Sequence, residues 1–139
     1  MKIKKFVLAI LTGGTIMWIA AGVWHNLIMA KFYRDVHAEH ESIGLLLAAY
    51  FILALFMAYL YPLFNKVEDR VFNGLLFGSI IGLLWVFPHE LAMAGAHGSS
   101  VLYVFKNAAW HIVEQGIGGI VIALVLGLDA NVVKGKIAK

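Results

Sequence analysis

The chain has 139 residues, of which 62% are hydrophobic and only 14% charged, with a formal net charge of +3. An ordinary soluble domain is roughly 45–50% apolar and about 25% charged, so these figures exclude a disordered chain and argue against a water-soluble globule. No cysteine is present, which excludes disulfides, thiolate metal sites, iron–sulfur clusters and c-type haem attachment. The mean hydropathy of +0.86 points to a lipid bilayer as the surroundings. No basic stripe suits nucleic acid.

The first apolar run, Phe6 to Ala30, contains no Asp, Glu, Lys or Arg, and Ser42 to Asn65 and Val71 to His89 are equally free of them. A fourth run extends from Val101 to Leu128, interrupted by Lys106, Asn107, His111, Glu114 and Gln115. Each is long enough to cross about 30 Å of hydrocarbon at about 1.5 Å per helical residue. Unpaired backbone amides cannot face lipid, and no run alternates like a membrane strand, so all four are read as helices. The expected fold is all-α: one domain of four transmembrane helices in an antiparallel bundle, spanning about residues 6–30, 43–64, 71–92 and 108–128. The stretch Val101 to Ala109 is expected as a lead-in helix at the interface. The Lys-rich start before an apolar run also resembles a signal peptide, but the run is longer than a usual signal core and is read as a retained first span.

Four spans put both ends on one side, together with Lys2, Lys4, Lys5, Lys66, Arg70, Lys134, Lys136 and Lys139. Only Lys31, Arg34 and Lys106 lie opposite. The positive-inside rule then predicts an N-in, C-in protein of the inner (cytoplasmic) membrane.

Small residues recur every four positions: Gly74, Gly78 and Gly82 in the third span, and Gly119, Ala123 and Gly127 in the fourth. Shorter stripes, Gly14–Trp18–Gly22 and Ala54–Ala58, mark the first two spans. Such stripes let helix backbones approach closely; the alternative is clearance for a flat cofactor.

All six histidines fall on the predicted outer side. Counted along each helix, His25 lies about 30 Å from Lys5, His89 about 28 Å from Arg70 and His111 about 27 Å from Asp129. Three imidazoles on three helices thus reach one level, with Glu90 beside it and Glu114 one turn below. His25 continues the Gly14–Trp18–Gly22 stripe. His89 is expected to continue Gly78, Gly82 and Trp85. Asn107, His111, Glu114 and Gly118 share one face. Pro88 is expected to kink or end the third helix.

Neutral imidazole is the commonest transition-metal ligand. His25, His89 and His111, with Glu90 and Glu114, therefore form a candidate site for Cu, Zn or Fe. A second candidate is haem b, with His25 and His111 as the preferred axial pair. A third is a proton relay, since buried His and Glu pass protons. His37, His40 and Glu41, with Asn107, would form a metal-entry lip or a supporting layer. The bland reading places the histidines in an aromatic belt at the membrane surface. No nucleophile elbow, phosphate loop, dinucleotide fingerprint or His-Glu-x-x-His occurs.

The segment Gly22-Val23-Trp24-His25 and the Gly74, Gly78, Gly82 stripe resemble an uncharacterised family of small four-helix prokaryotic integral membrane proteins. The resemblance implies a four-span fold and no activity. So small a chain is expected to work as a subunit of a larger membrane oxidoreductase or as a homo-oligomer. The rival readings are a small transporter, with its site facing the periplasmic or extracellular side, and a purely structural subunit.

Overall fold

The computed structural model describes residues 2–33, 42–64, 69–98 and 100–127. Apart from the bend at Met29 and the residues that flank the helices, the described residues are helical, without strands. Helix α1 (Ile3–Val23) runs into a π-helical turn, Trp24–Ile28, followed by the short α2 (Ala30–Tyr33). Helices α3 (Ile43–Phe64), α4 (Arg70–His97) and α5 (Val101–Leu126) complete the chain. Four segments are long and apolar enough to cross a membrane: Ile3–Ile28, Ile43–Phe64, Arg70–His97 and Val101–Leu126. The architecture is that of a multi-pass membrane protein.

Local chemistry sets several helix ends. The Asp69 carboxylate accepts from the Val71 and Phe72 backbone amides at 2.8 and 3.0 Å, capping α4. Gly98 and Gly127 adopt φ of 70° and 59° and end α4 and α5 in the left-handed conformation that glycine tolerates best. Gly127 is therefore a terminator rather than the last member of a packing stripe.

Pro88 does not end the third helix; α4 continues to His97. Nor is Val101–Ala109 a separate interfacial helix, because α5 is continuous from Val101. No Pro or Gly interrupts that stretch. Its one cation, Lys106, places its ammonium 4.4 Å from the centre of the Phe32 ring, where a charge–quadrupole attraction replaces part of its hydration.

Glycine decides how closely α4 and α5 approach. A Cβ on Gly74 would meet the Gly119 carbonyl and lie 2.8 Å from the Ala123 methyl. One on Gly78 would meet the Gln115 carbonyl, and one on Gly82 the His111 carbonyl. The register falls along α5 as it rises along α4, with backbone against backbone. Helix α1 fits between α3 and α5: Gly14 receives the Phe51 ring, Gly13 the Ile122 side chain, and Gly118 of α5 the Met17 thioether. These contacts surround a core that includes Met17, Ala54, Met57, Tyr61 and Ile122. At the lysine end, a Cβ on Gly127 would lie 3.1 Å from the Lys5 ammonium and 3.8 Å from the Arg70 guanidinium. Two cations thus gather at the carboxyl end of α5, where the helix dipole favours positive charge.

Candidate functional site

The π turn aims the residues at the histidine end of α1. Its closure bond runs from the Met29 amide to the Trp24 carbonyl at 2.8 Å, one residue wider than an α turn. Trp24 stacks flat on Trp110 of α5, with ring centroids 4.3 Å apart. The next residue on each helix is a histidine, and the His25 and His111 rings lie 6.5 Å apart between centroids. Tyr33 of α2 returns over this pair, its ring 4.4 Å from that of His25.

A buried carboxylate lies one turn along α5. Glu114 has no exposed surface, so its oxygens need partners. Trp110 Nε1 donates to Oε2 at 2.9 Å, and Gln115 Nε2 donates to Oε1 at 2.9 Å. The Tyr50 hydroxyl of α3 adds a further hydrogen bond. His111 Nδ1 stands 3.6 Å from Oε2, too long for a hydrogen bond.

A second chain of hydrogen bonds crosses the same end. Trp24 Nε1 donates to the Tyr33 hydroxyl at 3.4 Å, and that hydroxyl donates to Asn107 Oδ1 at 3.2 Å. Asn107 Nδ2 then donates to Glu90 Oε1 of α4 at 3.2 Å. Burial pushes the Tyr33 hydroxyl above its usual pKa; the Trp24 bond opposes this, and the nearby Glu90 and Glu114 charges add to it. The phenol stays protonated and keeps donating to Asn107.

Between α1, α3 and α5 lies a cavity of about 330 Å³. His25, Asn26, Tyr50, Asn107 and His111 supply polar atoms, and Trp18 and Tyr103 supply aromatic faces. The surroundings of the two imidazoles differ, and so does the tautomer each favours. His25 Nδ1 lies 3.0 Å from the Ala21 carbonyl oxygen, an acceptor only, so Nδ1 carries the proton and Nε2 a lone pair. Gln115 must direct its amide nitrogen, not its oxygen, at the Glu114 carboxylate, and that nitrogen lies 3.5 Å from His111 Nδ1. In the arrangement where His111 Nδ1 accepts from that nitrogen, the imidazole proton is on Nε2. Gln115 Oε1 makes no hydrogen bond and packs against Gly82, whose Cβ would lie 2.9 Å away.

The expected three-histidine layer resolves into a pair. His89 is exposed and does not line the cavity. The inward stripe of α4 advances in steps of four: Gly74, Gly78, Gly82 and Val86 are buried, Glu90 is half-buried and Ala94 is buried. Stepping by three from Gly82 to Trp85 leaves this stripe, since each residue turns the helix about 100°. Trp85 is exposed with His89. His37, His40 and Glu41 lie outside the described residues.

Among the described residues, no three His, Asp or Glu side chains gather to hold a metal ion. Glu114 is occupied by hydrogen-bond donors, and Glu90 accepts from Asn107. A haem macrocycle between His25 and His111 would have to separate α1 from α5. The Trp24–Trp110 stack ties those helices together one residue away.

Comparison with protein-family models, curated proteins and solved structures finds no match to this chain.

Proposed function

We propose that this chain is an antiparallel four-helix bundle of the inner membrane, with both ends cytoplasmic, whose outward-facing cavity binds a small hydrogen-bonding ligand and exchanges protons with it. Glu114 and His111 are the proton-carrying pair and Tyr50 is their partner on α3. Lys5 and Arg70 at one end of the helices, with the histidines at the other, support the orientation. The carrying observation is Glu114: fully buried, engaged by donors from Trp110, Gln115 and Tyr50, and one helical turn from a cavity-lining histidine. An ionisable group sheltered at membrane depth is expensive to keep and marks a proton or ligand path.

Infrared difference spectra of the protein in lipid vesicles, recorded across a pH step, test this reading. A carboxyl band should appear that is absent in Glu114→Gln and altered in His111→Asn. A difference spectrum unchanged by Glu114→Gln would overturn the proposal.

A second reading places one Cu, Zn or Fe ion on His25 and His111. It is supported by His25, whose Nδ1 is held by the Ala21 carbonyl in the manner of many metal-bound imidazoles. It requires His111 to move its proton to Nδ1, facing Glu114. Stoichiometric metal in purified protein, lost in His111→Ala, would establish it; a Soret band would instead establish haem b. A role within a larger membrane oxidoreductase or a homo-oligomer would accompany either result.

A further inference from the structure

We infer that the ligand of this cavity is a hydroxyl-bearing aromatic headgroup, of the phenol or hydroquinone class, that enters from the bilayer. The inference rests on the ligand-binding reading above and names the chemistry of that site.

The two imidazoles are complementary rather than equivalent. His25 offers a lone pair at Nε2, and His111 offers an N–H at Nε2. A hydroxyl group satisfies both as a water molecule would, donating its proton to His25 and accepting from His111 on one oxygen, and the aromatic walls select the ligand that carries it. With ring centroids 6.5 Å apart, the gap between the two imidazoles is wide enough for one bridging oxygen. A carbonyl could accept from His111 but would leave His25 without a donor. A carboxylate would set a negative charge against the His25 lone pair and bring a second buried anion near Glu114.

The walls specify the rest of the molecule. Trp18, Tyr50 and Tyr103 present aromatic surface around the polar atoms, which suits a flat ring that packs by its face or edge. The cavity borders the apolar exterior through Trp18 and Leu46, which are 37% and 44% exposed. Gly22 lines it, and a Cβ there would meet no heavy atom within 4 Å. A ligand dissolved in lipid therefore reaches the site without crossing the polar surface, and its ring is desolvated before it binds.

The test uses the full chain in phosphatidylcholine nanodiscs and two probes that differ by one methyl group, 4-hexylphenol and its methyl ether. Calorimetric titration, with empty nanodiscs subtracted, should show saturable binding of the phenol. The ether, which accepts a hydrogen bond but cannot donate one, should bind about tenfold more weakly, the cost of one unmade hydrogen bond. His25→Phe should abolish the difference between the probes. Gly22→Leu, which fills the cavity without touching the hydrogen-bond network, should weaken both. Near-ultraviolet circular dichroism checks that each variant remains folded.

Equal binding of phenol and ether by the native chain overturns the inference, as does heat no larger than partition into empty nanodiscs. Phenol binding undiminished in Gly22→Leu does the same, since it would place the ligand elsewhere. If the Glu114-dependent infrared band survives any of these results, only the ligand class falls. If that band is absent as well, the proton-exchange reading falls with it.

Discussion

A single methyl group added at Gly78 probes the closest approach between α4 and α5. The new Cβ would fall inside the envelope of the Gln115 carbonyl oxygen, 2.6 Å from that carbonyl carbon and 2.9 Å from the Gly116 Cα. All three neighbours are backbone, so no rotamer change can make room and the helices must separate. Overpacking of this kind costs roughly 1–3 kcal/mol, and a rigid backbone obstacle puts Gly78→Ala near the upper end. Alanine recovers about 1 kcal/mol of helix propensity over glycine, leaving a net loss of about 2 kcal/mol. Gly22 is the control, because its Cβ meets nothing within 4 Å. Gly22→Ala should gain up to about 1 kcal/mol from propensity alone. The two variants should therefore differ by about 3 kcal/mol in equilibrium unfolding by increasing sodium dodecyl sulfate in mixed micelles, followed by circular dichroism. Equal stability of Gly78→Ala and Gly22→Ala would refute the close backbone contact.

Other consequences follow from the hydrogen bonds. Trp110→Phe keeps an aromatic face for Trp24 but deletes a donor to Glu114, and should cost about 1.5–3 kcal/mol in the same assay. Asn107→Leu removes the acceptor of the buried Tyr33 hydroxyl and the donor to Glu90; a loss of about 1–3 kcal/mol is expected, and no loss would dismiss the Tyr33–Asn107–Glu90 chain. Tyr33 should ionise above the ordinary tyrosine value of 10.0, seen as a late tyrosinate absorbance phase missing in Tyr33→Phe. The folded state holds that proton more tightly, so Tyr33 leaves stability independent of pH below 10.0 and lowers it as pH rises beyond that value. Ionisation of Tyr33 at or below its ordinary value would contradict its burial.

The four long helices could be read from the sequence because uninterrupted apolar runs leave the backbone no alternative in lipid. Ends were harder to place. Lys106 suggested a break that its contact with Phe32 makes unnecessary, and Pro88 suggested an end that α4 does not have. Convergence of His25 and His111 was readable from steps of three and four along their helices, whereas the step from Gly82 to Trp85 led to the wrong face for His89. Tyr33 and Tyr50 escaped notice for a different reason. A tyrosine near a span end is ordinary, and only the return of α2 over α1 and the packing of α3 bring these hydroxyls to Asn107 and Glu114. The tautomers of the histidine pair depend on individual atomic distances, which no pattern of residue types encodes.

A π turn holds one residue more than the α turn it replaces, and Met29 just after it leaves helical geometry at φ −113° and ψ 21°, so the chain bends before Tyr33. Deleting any residue of Trp24–Ile28 would take out that extra residue and draw Tyr33 away from Asn107. The first span gives up helical regularity at its rim, and in exchange a phenol is delivered across to a neighbouring helix that a straight rod would never touch.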